Sequence, residues 1–262
     1  MTQIKPELIR IAARQVRVWR GGDGPQLLLL HGGMGDAPWY WRTVWETLAE
    51  SFHVVAPDLP RFGGTVELPN ASWMEFLAWL ARVQELLNLS KVVVAGNAFG
   101  ASFARLYAAA NPTRVSRLVL VDGGRLVALP KLARRAARAS WSAPFFELAR
   151  RQLFSEKGIR RVFANPALAT PDVVRASQAV SYGFRALSRQ VIFSELPTQK
   201  IPSQPTQLIW GERDKLAPLS RAREIAADIP DAQLAVIARV GHMPQCEDPV
   251  SFVRILRAFC GQ

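Results

Sequence analysis

The chain predicts an α/β fold: a mostly parallel sheet with helices on both faces, carrying a helical insertion past its midpoint. Three observations lead there. Short apolar runs too brief for helices alternate with longer stretches of helical periodicity, the pattern of strands joined by crossover helices. The run Val92-Val93-Val94-Ala95 breaks into a turn bracketed by Gly96 and Gly100 and continues as the Ala-rich stretch from Ala101, a strand, a sharp bend and a helix. Residues 125–200 are rich in Ala and Arg, hold Pro130, Pro144, Pro166, Pro171 and Pro197, and contain no convincing strand. The expected organisation is one folding unit, with residues 1–124 and 201–262 as the α/β core and residues 125–200 as the insertion.

Taken in order, Gln15 to Trp19 alternates as a short strand and Gly21-Gly22-Asp23-Gly24-Pro25 is a turn. Leu27 to Leu30 is an apolar run of buried-strand length, leading into His31-Gly32-Gly33-Met34-Gly35. From Trp39 to Glu50 the spacing is helical, with Trp41, Trp45 and Leu48 on one core-facing stripe. Phe52 to Ala56 is the next strand and Pro57-Asp58-Leu59-Pro60-Arg61-Phe62-Gly63 a turn-rich loop, in which Asp58 is expected to orient backbone. Ser72 with Glu75 three residues later marks a helix start, and that helix runs to about Leu87. After the bend at residue 98 the helix ends near Asn111-Pro112, and Leu118 to Val121 is a further strand, ending at Asp122. Beyond the insertion come a strand over Thr206–Trp210, the loop Gly211-Glu212-Arg213-Asp214, a helix from Ser220 to Ile229 and a strand over Gln233–Ile237. The loop Gly241-His242-Met243-Pro244 and a helix from Pro249 close the chain, with Glu247 and Asp248 expected to begin that helix. In such sheets ligands sit at the carboxyl ends of the strands.

The formal charge of +12 is concentrated: residues 125–200 hold fourteen Lys or Arg against four acids, a net +10, and the remainder only +2. That reads as a basic face, with attraction of an anionic substrate or acidic surface as the sharper use. No nucleic-acid-binding motif accompanies the arginines. No apolar run approaches the roughly 20 residues of a membrane span. The mixed charges after Met1 and the two cysteines, Cys246 and Cys260, lead to the expectation of a cytoplasmic chain without a secretory leader or disulfides.

Chemistry-bearing residues concentrate at strand ends. A glycine-rich loop after a buried strand aims backbone N–H groups at a ligand; lacking a Gly-Lys-Ser/Thr ending, the His31–Gly35 loop suits an oxyanion better than a nucleotide phosphate. Of three histidines, His31 is placed to brace that loop, His53 lies in or beside a strand, and His242 stands on a sharp late loop suited to a general base. Asp214 is the first candidate for the carboxylate that would hold its tautomer, and Asp122 the runner-up. Cys246 lies four residues from His242, too little to indicate zinc, and no cofactor is called for.

His31-Gly32-Gly33, Pro57-Asp58-Leu59-Pro60-Arg61-Phe62-Gly63, Gly96-Asn97-Ala98-Phe99-Gly100, Gly211-Glu212-Arg213-Asp214 and Gly241-His242 together resemble the α/β-hydrolase fold superfamily over nearly the whole chain. The flavour is that of serine-type meta-cleavage-product hydrolases and carboxylesterases. The resemblance implies a nucleophile at position 98, an acid at Asp214 and a base at His242, in that chain order. It implies oxyanion donation by the backbone N–H groups of Phe99 and Gly33, with Met34 as a neighbouring option, and a helical cap over residues 125–200. Arg61 departs from the pattern where relatives commonly have Gly, placing a charge near the cap hinge.

The central departure is Ala98, which has no nucleophilic atom. The leading expectation is a serine-type hydrolase of an ester or activated carbonyl whose nucleophile has been replaced by alanine, leaving a chain that binds a small to medium, mostly apolar molecule without turnover, with a carboxylate drawn by the arginines of the insertion as an option. Ser102, a helical turn further on, is not placed to substitute. Two other expectations stand beside it: a natural binding protein on this fold, and non-covalent lyase or isomerase chemistry by His242 and Asp214.

Overall fold

The computed structural model describes residues 3–68, 72–125, 128–198 and 200–262. Strands β1 (Lys5–Ile11), β2 (Arg14–Gly21), β3 (Gln26–Leu30), β4 (His53–Pro57), β5 (Val92–Asn97), β6 (Val115–Val121), β7 (Thr206–Gly211) and β8 (Gln233–Ile237) form one sheet in the order β1-β2-β4-β3-β5-β6-β7-β8. From β4 through β8 every pairing is parallel, while β1 pairs β2 and β2 pairs β4 antiparallel. All six residues of β5 are buried, because helices cover both faces of the sheet. Each fully buried Val or Leu there contributes about 1.5–3 kcal/mol.

The helices of the first half are α1 (Ala37–Trp41), α2 (Trp45–Ala49), α3 (Trp73–Leu86) and α4 (Phe99–Ala110). The helical stretch expected over residues 39–50 is thus two short helices, although Trp41, Trp45 and Leu48 are buried as the spacing requires. Ser72 caps α3 by accepting from the Glu75 N–H at 3.2 Å.

β1 was not legible in the sequence. It is an edge strand whose outer residues are exposed, Leu8 among them, and only Ile9 and Ile11 pack against the core. Its hairpin turns through Ala12 at φ 54°, a position where glycine or asparagine would have signalled the bend.

Between β6 and β7 the chain is helical, as expected: α5 (Lys131–Arg138), a 3₁₀ turn at Ser140–Ser142, α6 (Ala143–Leu153), α7 (Glu156–Arg160), a 3₁₀ turn at Pro166–Leu168 and α8 (Pro171–Val191). Then follow α9 (Leu219–Asp228), α10 (Pro244–Glu247) and α11 (Pro249–Cys260). Asp248 caps α11 through the Ser251 N–H at 3.0 Å, whereas Glu247 does not begin that helix. It closes the separate α10, and its carboxylate accepts from the N–H groups of Ala164 (2.8 Å), Asn165 (3.2 Å) and Gly241 (2.9 Å). Glu247 therefore fastens the insertion to the loop that carries His242.

Other ties hold the insertion down. The His242 N–H donates to Val162 O at 2.9 Å, and Trp39 Nε1 donates to Val173 O at 3.2 Å. Arg105, buried on α4, donates from Nη1 to Gly124 O (3.2 Å) and from Nε to Lys200 O (3.1 Å), gripping both ends of the insertion, and from Nη2 to Asp228. Arg61 pairs with Glu67 at 2.6 Å, and its carbonyl abuts Gly183 in the middle of α8. It holds φ 76°, a conformation glycine adopts freely. Among the described residues no helix is long and apolar enough to cross a membrane.

Candidate active site

The site is assembled at the carboxyl ends of β3, β5, β6 and β7 and in the loop after β8. The close packing of β5 on α4 leaves room for nothing larger than glycine at two positions. A Cβ on Gly96 would strike the Gly100 backbone, and one on Gly100 would strike the carbonyls of Leu30 and His31. Between them Ala98 takes φ 51° and ψ −112°, a conformation costing an L-residue about 1–3 kcal/mol. Its N–H donates to Val121 O at 2.9 Å, which pins the bend to β6.

Ala98 lines a cavity of about 280 Å³ together with Phe99, Asp122, Arg125, Phe184, Arg221 and His242. His242 is buried, and its Nδ1 lies 2.7 Å from Asp214 Oδ2, which leaves Nε2 as the ring nitrogen free for other work. Asp214 Oδ1 accepts from the N–H groups of Leu216 (2.7 Å) and Ala217 (2.9 Å), so the carboxylate is held at both oxygens. Burial tends to raise the Asp214 carboxyl, but the hydrogen bond and charge of His242, with those two N–H groups, outweigh it and hold the group below its ordinary range. The two residues expected to pair do pair.

Asp122 stands behind them. Its Oδ1 accepts from the Gly211 N–H at 3.0 Å while Oδ2 is buried without a partner among the described residues. Burial, followed by the adjacent Asp214 charge, pushes its carboxyl well above the ordinary value. Asp122, Asp214 and His242 bring ligand-type atoms within 4.8 Å of one another, but Nδ1 of His242 is committed to the direct bond with Asp214. Cys246 turns away, its Sγ facing Tyr40 O at 3.7 Å, and burial raises its thiol to about 12.

The glycine loop is braced as expected of His31. Its Nε2 accepts from the Leu59 N–H at 2.8 Å, and burial keeps the ring below its ordinary pKa. Asp58 orients backbone, accepting from the Ala37 N–H at 2.9 Å and pairing with Arg17. Met34 is not available as an oxyanion donor, since its N–H donates to Tyr40 Oη at 3.1 Å. The N–H groups of Gly33 and Phe99 have no acceptor among the described residues. Phe184 of α8 lies where a Cβ on Gly33 would be, so this glycine lets the insertion close down on the loop. Ser102 lines the cavity, but its hydroxyl donates to Arg125 O at 3.3 Å.

Sequence reasoning missed Glu247, Tyr40, Phe184 and Arg105. Tyr40 sits between two tryptophans and Phe184 in a helix of ordinary amphipathic pattern, so neither carried a signal. Glu247, five residues from His242, could have been found by asking what satisfies the Gly241 N–H.

Comparison with known proteins agrees with this fold. A family model described as alpha/beta hydrolase fold matches residues 25–249. A 2-hydroxymuconate semialdehyde hydrolase of Pseudomonas sp. (strain CF600) is 29% identical, the alignment covering 99% of this chain and 96% of that protein. A 2-hydroxy-6-oxononadienedioate/2-hydroxy-6-oxononatrienedioate hydrolase of Cupriavidus pinatubonensis is 27% identical over 92% and 88% of the two chains. Among solved structures, the 2-hydroxy-6-oxo-6-phenylhexa-2,4-dienoate hydrolase of Rhodococcus sp. strain RHA1 superposes over all of both chains with a TM-score of 0.79 at 21% identity. A thermophilic esterase from Thermogutta terrifontis reaches 0.80 at 24% identity, over 98% of each. With a match spanning most of its length and the strand order, bend and late histidine loop in place, the chain belongs to the α/β-hydrolase fold family.

Proposed function

We propose that this chain is the scaffold of a serine-type hydrolase with alanine in the nucleophile's place, able to bind its substrate and unable to turn it over. The observation that carries the reading is His242, joined to Asp214 at 2.7 Å and lining the same cavity as a residue held at φ 51°. A strained bend stabilises nothing by itself, and a carboxylate-held histidine has its clearest use beside a nucleophile.

With serine at position 98, its Oγ would attack an ester or activated carbonyl while His242 Nε2 takes the proton. Asp214 stabilises the resulting imidazolium through Nδ1, and the Phe99 and Gly33 N–H groups receive the developing oxyanion. Water then releases the acyl group. The helices of residues 125–200 act as a cap, with Phe184 excluding water above Gly33. Arg125 and Arg221 line the cavity and suit a substrate carrying a carboxylate, the kind of molecule that the names of the full-length relatives describe.

The experiment is Ala98→Ser beside the chain as it stands. Against p-nitrophenyl esters, the serine variant is expected to gain about 10⁴–10⁶-fold in turnover and to take a fluorophosphonate label at residue 98. Adding His242→Ala should remove both gains, and adding Arg221→Met should raise KM for acid-bearing esters more than for neutral ones. A folded Ala98→Ser protein that neither turns over nor labels would sink the reading. Proton abstraction by His242 without a covalent step would then be the reading to pursue, since it alone uses the pair beside an alanine.

A further inference from the structure

The insertion carries a surface that the reaction does not use. On the 3₁₀ turn and α6, Trp141, Phe145 and Leu148 fall at helical spacing on one side and are 63%, 68% and 56% exposed. The rings of Trp141 and Phe145 meet edge to face at 6.5 Å, so they form one continuous patch. The other side of α6 is occupied: Phe146 packs on Phe193, Glu147 binds Arg150 and Arg185, and Arg150 stacks on Tyr182. Phe145 and Leu148 of this helix and Trp141 of the turn before it thus face outward, an apolar stripe that an ordinary surface helix would bury.

Next to the patch stands α5, where Lys131, Arg135 and Arg138 are exposed with no acidic partner among the described residues, and Leu132 is exposed beside them. The nearest acid on α6, Glu147, is already shared by Arg150, Arg151 and Arg185. A second copy of this chain would bring the same unpaired cations face to face, which works against self-association. An anionic bilayer surface supplies both needs, negative headgroups for the cations and an acyl boundary for the aromatic edge.

We propose that the α5–α6 face is a peripheral docking surface for anionic lipid bilayers, with Trp141, Phe145 and Leu148 entering the headgroup boundary and Lys131, Arg135 and Arg138 pairing with the lipid charge. The contact sits on the insertion that also supplies Phe184 to the cavity, so docking places the site next to the membrane. Nothing in this surface depends on the identity of residue 98.

The test is co-sedimentation of the whole chain with vesicles of phosphatidylcholine alone or mixed equally with phosphatidylglycerol. The expected result is binding to the mixed vesicles only, weakened at about 1 M salt, where screening shrinks to about 3 Å. Binding should fall about tenfold or more in Trp141→Ser/Phe145→Ser/Leu148→Ser, and about fivefold for each cation lost in Arg135→Gln and Arg138→Gln. Unchanged thermal melts would show that the variants fold, and Phe145→Ser alone replaces the triple variant if it does not. Absence of binding to mixed vesicles overturns the proposal. So does binding indifferent to the three apolar changes, which would be charge adsorption alone. A dimer in solution abolished by those changes, without vesicle binding, would assign the face to a second copy instead.

Discussion

At position 98 an alanine occupies a backbone conformation at φ 51° that alanine does not favour, while the nearby histidine is held through Nδ1 by a carboxylate that is itself bonded at both oxygens. Asp122 is the neighbouring residue whose behaviour is most open to measurement. Its folded pKa lies above its ordinary value near 3.8, so its contribution to stability is complete below that value and is lost as pH rises through the folded one. Asp122→Asn, which cannot ionise and keeps an acceptor for the Gly211 N–H, should therefore gain on the parent as pH rises. The gain should be at most about 1.4 kcal/mol for each unit above the ordinary value, ending at the folded pKa. Urea midpoints for both proteins across that range measure it, and a flat difference would place an ionised carboxylate at position 122. The residue types at 98, 214 and 242 were readable from motifs, whereas the coupling of Asp122 to Asp214 was not, because two loops far apart in sequence bring them together.

Among the elements, α4 does two jobs: its N-terminus forms the bend, and Arg105 near its middle holds Gly124 O and Lys200 O, the two ends of the insertion. Arg105→Met keeps the bulk and removes the donors. With hydrogen bonds to charged groups worth about 1.5–3 kcal/mol each and partial relief by water, the expected loss is about 2–4 kcal/mol in urea unfolding. Limited proteolysis should show earlier cleavage near residues 125 and 200, and Arg105→Lys should recover only part, because lysine cannot present the planar fork. Cleavage elsewhere first would mean that the ends are held by other contacts. Strands β3, β4, β5, β6 and β7 were legible because buried parallel strands are near-continuous apolar runs. Edge strand β1 was not, since half-exposed residues and an alanine turn give no comparable pattern.

Across the whole molecule, three histidines and a charge of +12 shape the response to acid. Burial holds the pKa of both His31 and His53 below the ordinary 6.5. The unfolded chain then takes up protons near that value which the folded chain does not, so stability is complete above about pH 6.5 and declines as pH falls toward the folded values. The melting temperature should drop between about pH 7 and 5.5. His31→Gln should be less stable at neutral pH, having lost the ring that braces Leu59, yet show a shallower drop. An equal slope in parent and variant would assign the acid sensitivity to other groups.

The sequence by itself determined the α/β architecture, the place of the helical insertion, the bend at residue 98 and the partnership of Asp214 with His242. The first three rest on local spacing or on apolar runs that must be buried, and the last on the resemblance that the Gly211-Glu212-Arg213-Asp214 and Gly241-His242 motifs carry. Only the tertiary structure decided that Met34 is spent on Tyr40, that Glu247 and Arg105 fasten the insertion, that Asp122 stands buried beside Asp214 with its carboxyl pushed up, and that Trp141, Phe145 and Leu148 face outward. Those outcomes depend on which remote donor meets which acceptor and on which face of a helix is already occupied, and these are set by packing between elements rather than by the residues along any one of them.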